Sequence, residues 1–148
     1  MRSIPVFAIL SLTMLLAACG KDKFETKPLL EIKDYSAEAV SQGESVRIRV
    51  NYYDKEGDLG EGDFTYIRVR TNKTPIPNPG TYDKTDTIRS KVPVFPSKNT
   101  GELTFNVAYE FMDEDPNRND TMYFKIAVVD IKGNASDTIT TGLFVARQ

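Results

Sequence analysis

An all-β antiparallel sandwich of seven strands is the fold this 148-residue sequence predicts. Three observations carry the expectation. Apolar residues recur with period two, the spacing that puts side chains on one face of a strand. No stretch sustains a helical apolar stripe for three turns, so helix content is expected to be very low. Gly, Pro, Asp and Asn gather between the alternating runs, where the chain has to turn.

The first strand is read at residues 29–35 (LLEIKDY). In the second, residues 46–53, Val46, Ile48, Val50 and Tyr52 alternate with Arg47, Arg49, Asn51 and Tyr53, the pattern of a half-buried strand. The third (66–70) and fourth (87–94) are shorter. The fifth sets Leu103, Phe105, Val107, Tyr109 and Phe111 against Thr104, Asn106, Ala108 and Glu110. In the sixth, Phe124, Ile126 and Val128 face in, and a turn at Gly133 and Asn134 leads to the seventh, with Ile139, Thr141, Leu143 and Val145 inward. No internal repeat is present, which argues against a propeller or solenoid.

Residues 72–100 interrupt this regularity with Pro75, Pro77, Pro79, Pro93 and Pro96. Proline is confined to the edges, ends and bulges of sheets, so the stretch reads as a long excursion followed by a protected edge strand. Residues 74–82 (TPIPNPGTY) also read as a semi-rigid protruding loop that offers Ile76 and Tyr82 to a partner.

Composition excludes much chemistry. The chain has 19 Lys and Arg against 21 Asp and Glu, one Cys, no His and no Trp. Without His there is no Ser-His-Asp triad, no Cys-His dyad and no mixed His zinc site. The expectation is a protein without catalytic activity, a carboxylate-pair enzyme being the minor alternative. A lone cysteine forms no internal disulfide, so core burial must stabilise the domain. Mild acidity with interspersed signs gives no electrostatic footprint for nucleic acid.

The amino terminus has the layout of a secretory signal: Arg2, then the uncharged run 4–18 (IPVFAILSLTMLLAA), then small residues up to Cys19. As a helix that run rises about 22 Å, short of the roughly 30 Å hydrocarbon core. Its last residues, Leu16-Ala17-Ala18-Cys19, resemble the bacterial lipobox. The resemblance implies cleavage before Cys19, a thioether-linked diacylglycerol on it and acylation of the new amino terminus, palmitate being the typical chain. Gly20, where an inner-membrane retention Asp would stand, implies the outer membrane. The expected organisation is a signal peptide at 1–18, a lipidated tether at 19–28 and one domain at 29–148. Removal of residues 1–18 takes away Arg2 alone among the charges, leaving 18 bases against 21 acids.

About seven short strands in roughly 115 residues is similar to an immunoglobulin or fibronectin type III domain, here without the family's disulfide and core Trp. The stretches YYDKEGDLG and VVDIKGNASDT resemble paired loops of immunoglobulin-like domains in Gram-negative surface lipoproteins of unassigned function. That topology brings the second-to-third and sixth-to-seventh connections to one end, beside the amino terminus. Residues 54–63 carry five acids against Lys55. Asp54, Glu56 and Asp58 would then approach Asp130, Asn134 and Asp137, an oxygen-donor set suited to calcium. The alternative is solvated Asp/Gly turns. An EF-hand loop fails at its sixth position, where Leu59 replaces Gly.

The second acidic loop, 113–120 (DEDPNRND), is expected at the opposite end and reads as turn chemistry. Asp86-Thr87-Ile88, Asp120-Thr121-Met122 and Asp137-Thr138-Ile139 resemble an O-glycosylation sequon of Gram-negative anaerobes, which implies modification at Thr87, Thr121 and Thr138. Tyr53, Tyr66 and Tyr82 are the candidates for an aromatic platform that stacks on a sugar. Together these features predict a lipid-anchored structural or interaction module of the cell envelope. Its partner would be another envelope protein or a glycan, with calcium the only candidate ion. The alternative is a glycan- or small-ligand-binding surface lipoprotein.

Overall fold

The computed structural model describes residues 26–76 and 86–148. Nine strands run in order: β1 Leu29–Tyr35, β2 Ala39–Val40, β3 Ser45–Tyr53, β4 Asp63–Arg70, β5 Thr87–Lys91, β6 Thr100–Ala108, β7 Asp120–Val129, β8 Ile139–Thr140 and β9 Phe144–Ala146. One helical turn, α1 Tyr109–Met112, follows β6. The strands form two sheets, β1-β3-β6 and β2-β9-β7-β4-β5, with β8 beside β7. All pairings are antiparallel except β2 with β9. The fold is therefore an all-β sandwich of one antiparallel and one mixed sheet.

The predicted alternation fills the space between the sheets. Val46, Ile48, Val50 and Tyr52 of β3 are buried, and from the other layer so are Met122, Phe124, Ile126 and Val128 of β7. Tyr66 reaches across the interlayer to stack on Phe105, with ring centroids 5.3 Å apart. Beside it Phe64 meets Phe105 edge-on at 4.8 Å. These rings join the layers through the offset and edge contacts that aromatic quadrupoles favour.

The expected strands need four corrections. The fifth was expected to continue through Phe111, but it stops at Ala108 because its neighbour β3 begins at Ser45, opposite Ala108. After a last bond from Tyr109 N–H to Glu44 O, the chain coils and buries Tyr109 and Met112, three residues apart on one face of α1. The seventh was expected as one strand with Leu143 and Val145 inward. It is broken at 141–143, and the one-residue slip brings Phe144 and Ala146 inward instead, leaving Leu143 58% exposed. The Thr141 hydroxyl accepts a hydrogen bond from Phe124 N–H, and Gly142 N–H donates to the Tyr35 hydroxyl, which together hold the break. The fourth ends at Lys91, before Pro93, and lies beside β4 as an edge strand. The two-residue β2 has no period-two signature and is absent from the sequence reading.

Candidate functional site

β3 and β7 lie in different sheets but stop at the same end, and each is followed at once by an acid, Asp54 and Asp130. The same local device turns the chain twice. Asp54 Oδ1 and Oδ2 accept the N–H groups of Glu56 (3.2 Å) and Asp58 (2.9 Å). Asp130 Oδ1 accepts those of Lys132 (2.9 Å) and Asn134 (2.8 Å). Three residues after each acid stands a glycine in the left-handed region, Gly57 at φ 67° and Gly133 at φ 89°, its N–H bonded to the Asp carbonyl. A short acidic side chain that caps its own turn is what Asx-turns supply.

The two turns face each other, and oxygens of Asp54, Asp58 and Asp130 lie within 4.8 Å of one another. Asp54 is fully buried and Asp130 nearly so. Burial pushes the Asp54 carboxyl above its ordinary value; the two amide bonds pull it down, and the charges of Asp58 and Asp130 push it further up. Both Asp58 carboxylate oxygens are buried; Oδ1 accepts no hydrogen bond among the described residues, and Oδ2 has the Lys132 ammonium at 3.1 Å. Lys132 also bonds Glu56 at 2.7 Å, and these two contacts raise its pKa. An all-oxygen donor set of this kind suits a hard cation such as calcium, or an ammonium.

Of the six proposed ligands, three converge. Glu56 stands at the rim through Lys132, and Asn134 supports Asp130 by donating its side-chain amide to Oδ2 at 2.8 Å. Asp137 does not join them; its side chain is 82% exposed and pairs with Lys27. The tyrosines do not form one platform. Tyr53 lies half-buried on the outer face of β3, whereas Tyr66 is packed between the sheets against Phe64, Phe105, Phe111 and Phe124. Tyr82 lies outside the described residues, as do Cys19 and the rest of the lipobox. Of the sequon threonines, Thr138 is exposed while Thr87 and Thr121 are half-buried.

At the opposite end lies the 113–120 loop, where Asp115 turns the chain as expected by accepting the N–H groups of Asn117 and Arg118, and which also joins a charged cluster. The Arg68 side chain is fully buried and donates to Phe111 O, Asp86 Oδ1 (2.9 Å) and Glu114 Oε1, with its guanidinium 4.8 Å from the centre of the Phe111 ring. Arg70 pairs with Asp120, whose Oδ2 accepts the N–H groups of Glu114 and Asp115, both at 2.7 Å. The signal was present in β4, where Phe64, Tyr66, Arg68 and Arg70 share one inward face. An arginine in phase with core aromatics demands a buried acceptor.

A groove of about 350 Å³ opens along one side of the sandwich, between β6 and the stretch from Ser90 to Phe95. Phe64, Val92, Phe95, Leu103 and Phe105 make its floor and walls. Val94, at its rim, is 78% exposed.

No protein-family model and no curated protein sequence matches the chain. Solved structures do resemble it. A DUF4466 family protein from Parabacteroides merdae superposes with a TM-score of 0.52 at 10% identity, over 82% of this chain and 45% of that one. Spo0M, a sporulation control protein from Bacillus subtilis, gives 0.44 at 9% identity over 82% and 50%. OgpA from Akkermansia muciniphila gives 0.40 at 13% identity over 84% and 31%. This chain spans half or less of the length of each, and the likeness to the first is one of fold.

Proposed function

We propose that this chain is a lipid-anchored structural and interaction module of the bacterial cell envelope, held at the outer membrane through a diacylglycerol on Cys19 and acting through protein contacts without catalysis. The observation that carries this reading is the Leu16-Ala17-Ala18-Cys19 motif, placed ten residues before β1 opens at Leu29. Several acyl chains, at about 0.8 kcal/mol per buried methylene, hold a protein at a bilayer far more firmly than one does. Support for an immunoglobulin or fibronectin type III relation comes from the sheet order. β1-β3-β6 against β9-β7-β4-β5 corresponds to A-B-E against G-F-C-C′ in that nomenclature. The chain enters at the acidic end, where Lys27 pairs with Asp137, so that end faces the membrane in this reading.

The acidic trio belongs to the same proposal as a calcium site, in which the ion takes the place of the Lys132 ammonium on Asp58. A second reading, binding of a glycan or small ligand, draws on the groove, whose half-buried Phe95 and Phe105 suit a partly apolar guest. The anchor is tested by growing cells with labelled palmitate. Label and membrane fractionation are expected for the native chain and loss of both for Cys19→Ser. An unlabelled native chain would sink the reading.

A further inference from the structure

A sheet edge presents a row of unpaired N–H and C=O groups, and proteins blunt such edges with prolines, charges, bulges or brevity. Three of the four outer edges here are blunted. β5 has five residues, carries Arg89 and Lys91, and is followed by Pro93. β1 is bulged between Ile32 and Asp34 and carries Lys33 there. β2 has two residues. The fourth edge, β6, has nine residues, no proline, no bulge in its pairing to β3 and one charge, Glu102. Even that charge is answered within the sheet, by Lys33 at 2.6 Å.

The hydrogen-bond phase of β6 follows from its two ends. Tyr109 N–H donates to Glu44 O, and Asp54 N–H donates to Asn99 O. In an antiparallel ladder, residues that exchange hydrogen bonds alternate with residues that do not. Counting in steps of two from these bonds, Gly101, Leu103, Phe105 and Val107 point their amides at β3. Glu102, Thr104 and Asn106 then point theirs away from the sheet. No hydrogen bond among the described residues uses those outward backbone groups.

We infer that β6 is a self-association edge: a second copy of this chain pairs with it antiparallel about a two-fold axis at Thr104, making one continuous six-stranded sheet β1-β3-β6-β6-β3-β1. A second copy suits this edge because one register opposes no like charges. Centred on Thr104, the pairing sets Glu102 opposite Asn106 of the other copy, a carboxylate facing an amide donor. Centred on Glu102, it would set two carboxylates face to face, which is destabilising. A two-fold pairing also closes on itself, so the open edge ends as a dimer and not a fibre. On the inner face, Leu103 of each copy meets Phe105 of the other beside the groove. The inference deepens the reading of the chain as an interaction module by naming its partner.

Proline separates edge function from folding. Thr104 N–H faces outward, so Thr104→Pro removes a bond to the second copy and none to β3. Thr104→Lys sets two ammonium groups across the axis and leaves every amide in place. Light scattering on the purified full chain should give twice the monomer mass, falling on dilution. Both variants should give the monomer mass with an unchanged unfolding midpoint measured in dilute solution. Leu103→Pro, which takes an amide from β3, should fail to fold. A native chain that stays monomeric at every concentration overturns the inference and leaves the palmitate result at Cys19 untouched. So do variants that both remain dimeric, or a folded Leu103→Pro.

Discussion

Where β3 and β7 stop, Asp54, Asp58 and Asp130 crowd together with the Lys132 ammonium; at the other end of β4, some 23 Å away along its eight residues, Glu114 and Asp120 face Arg68 and Arg70. Both ends bury carboxylates, and burial raises the pKa of one in each, Asp54 and Glu114. The difference lies in what comes next. Arg68 and Arg70 pull Glu114 back down against Asp86 and Asp120, which push it up, whereas the charges beside Asp54 are all like ones that push it up, and only amide bonds pull it down. A guanidinium is a rigid fork fixed inside a strand, while Lys132 is a flexible, 56% exposed ammonium on a turn. One end is closed by fixed guanidinium groups, with Arg70 Nη2 and Asp115 Oδ2 left without a hydrogen bond among the described residues, and the other is an acidic cluster answered by a cation that can leave.

The largest effect should come from the closed end. Arg68→Ala leaves Glu114 buried without its partner and should cost about 3–5 kcal/mol, read by denaturant unfolding. Replacing both, as Arg68→Met with Glu114→Leu, should recover most of that loss. A single variant as stable as the native chain would erase the distinction between the ends.

An intermediate effect is expected from calcium at the open end. A ligand that binds only the native state stabilises it by about 2.7 kcal/mol at a hundredfold excess over its dissociation constant. The full chain should therefore melt several degrees higher in calcium than in chelator. Asp54→Ala with Asp58→Ala should lose the shift and Lys132→Met should enlarge it. No shift in the native chain would leave Lys132 as the trio's counter-charge and remove calcium from the proposal.

The smallest effect is one of pH. A carboxyl whose folded pKa is raised favours the fold while protonated, and that contribution is lost as pH climbs from the unfolded value of 3.8 through the folded one. Without calcium, the native chain should therefore lose stability to Asp54→Asn across that window as pH rises. Denaturant midpoints from pH 3.5 upward follow the difference. If the two curves run parallel, the Asp54 carboxyl is not raised.

Much of this comparison was legible in the sequence. Period two places β3, β6 and the inward face of β7 because side-chain alternation is a property of any strand and needs no partner to be seen. Asp54, Asp58 and Asp130 were grouped, with Glu56, Asn134 and Asp137, because a sandwich of alternating strands brings the two acidic connections to one end. The closed end stayed hidden because Glu114 and Asp120 look locally like part of any turn, and only the phase of Arg68 and Arg70 in β4 reveals what they answer. The break in the last strand was equally silent, since a one-residue slip changes no composition. Asp137 looks like its neighbours and differs only in facing Lys27.

The parallel pairing of β2 with β9 gives the molecule a mechanical character. The chain crosses from one sheet to the other between Tyr35 and Ala39, so its first segment contributes to both layers. Its termini leave at opposite ends, Lys27 beside Asp137 and Gln148 against Asn119. Tension applied between the two ends of the chain draws β2 and β9 past each other along their length. The bonds from Val145 N–H to Glu38 O and from Arg147 N–H to Val40 O then bear the load together, in shear. Two residues of strand thus act as a clasp, resisting a pull along the strands more strongly than their share of the fold's thermal stability.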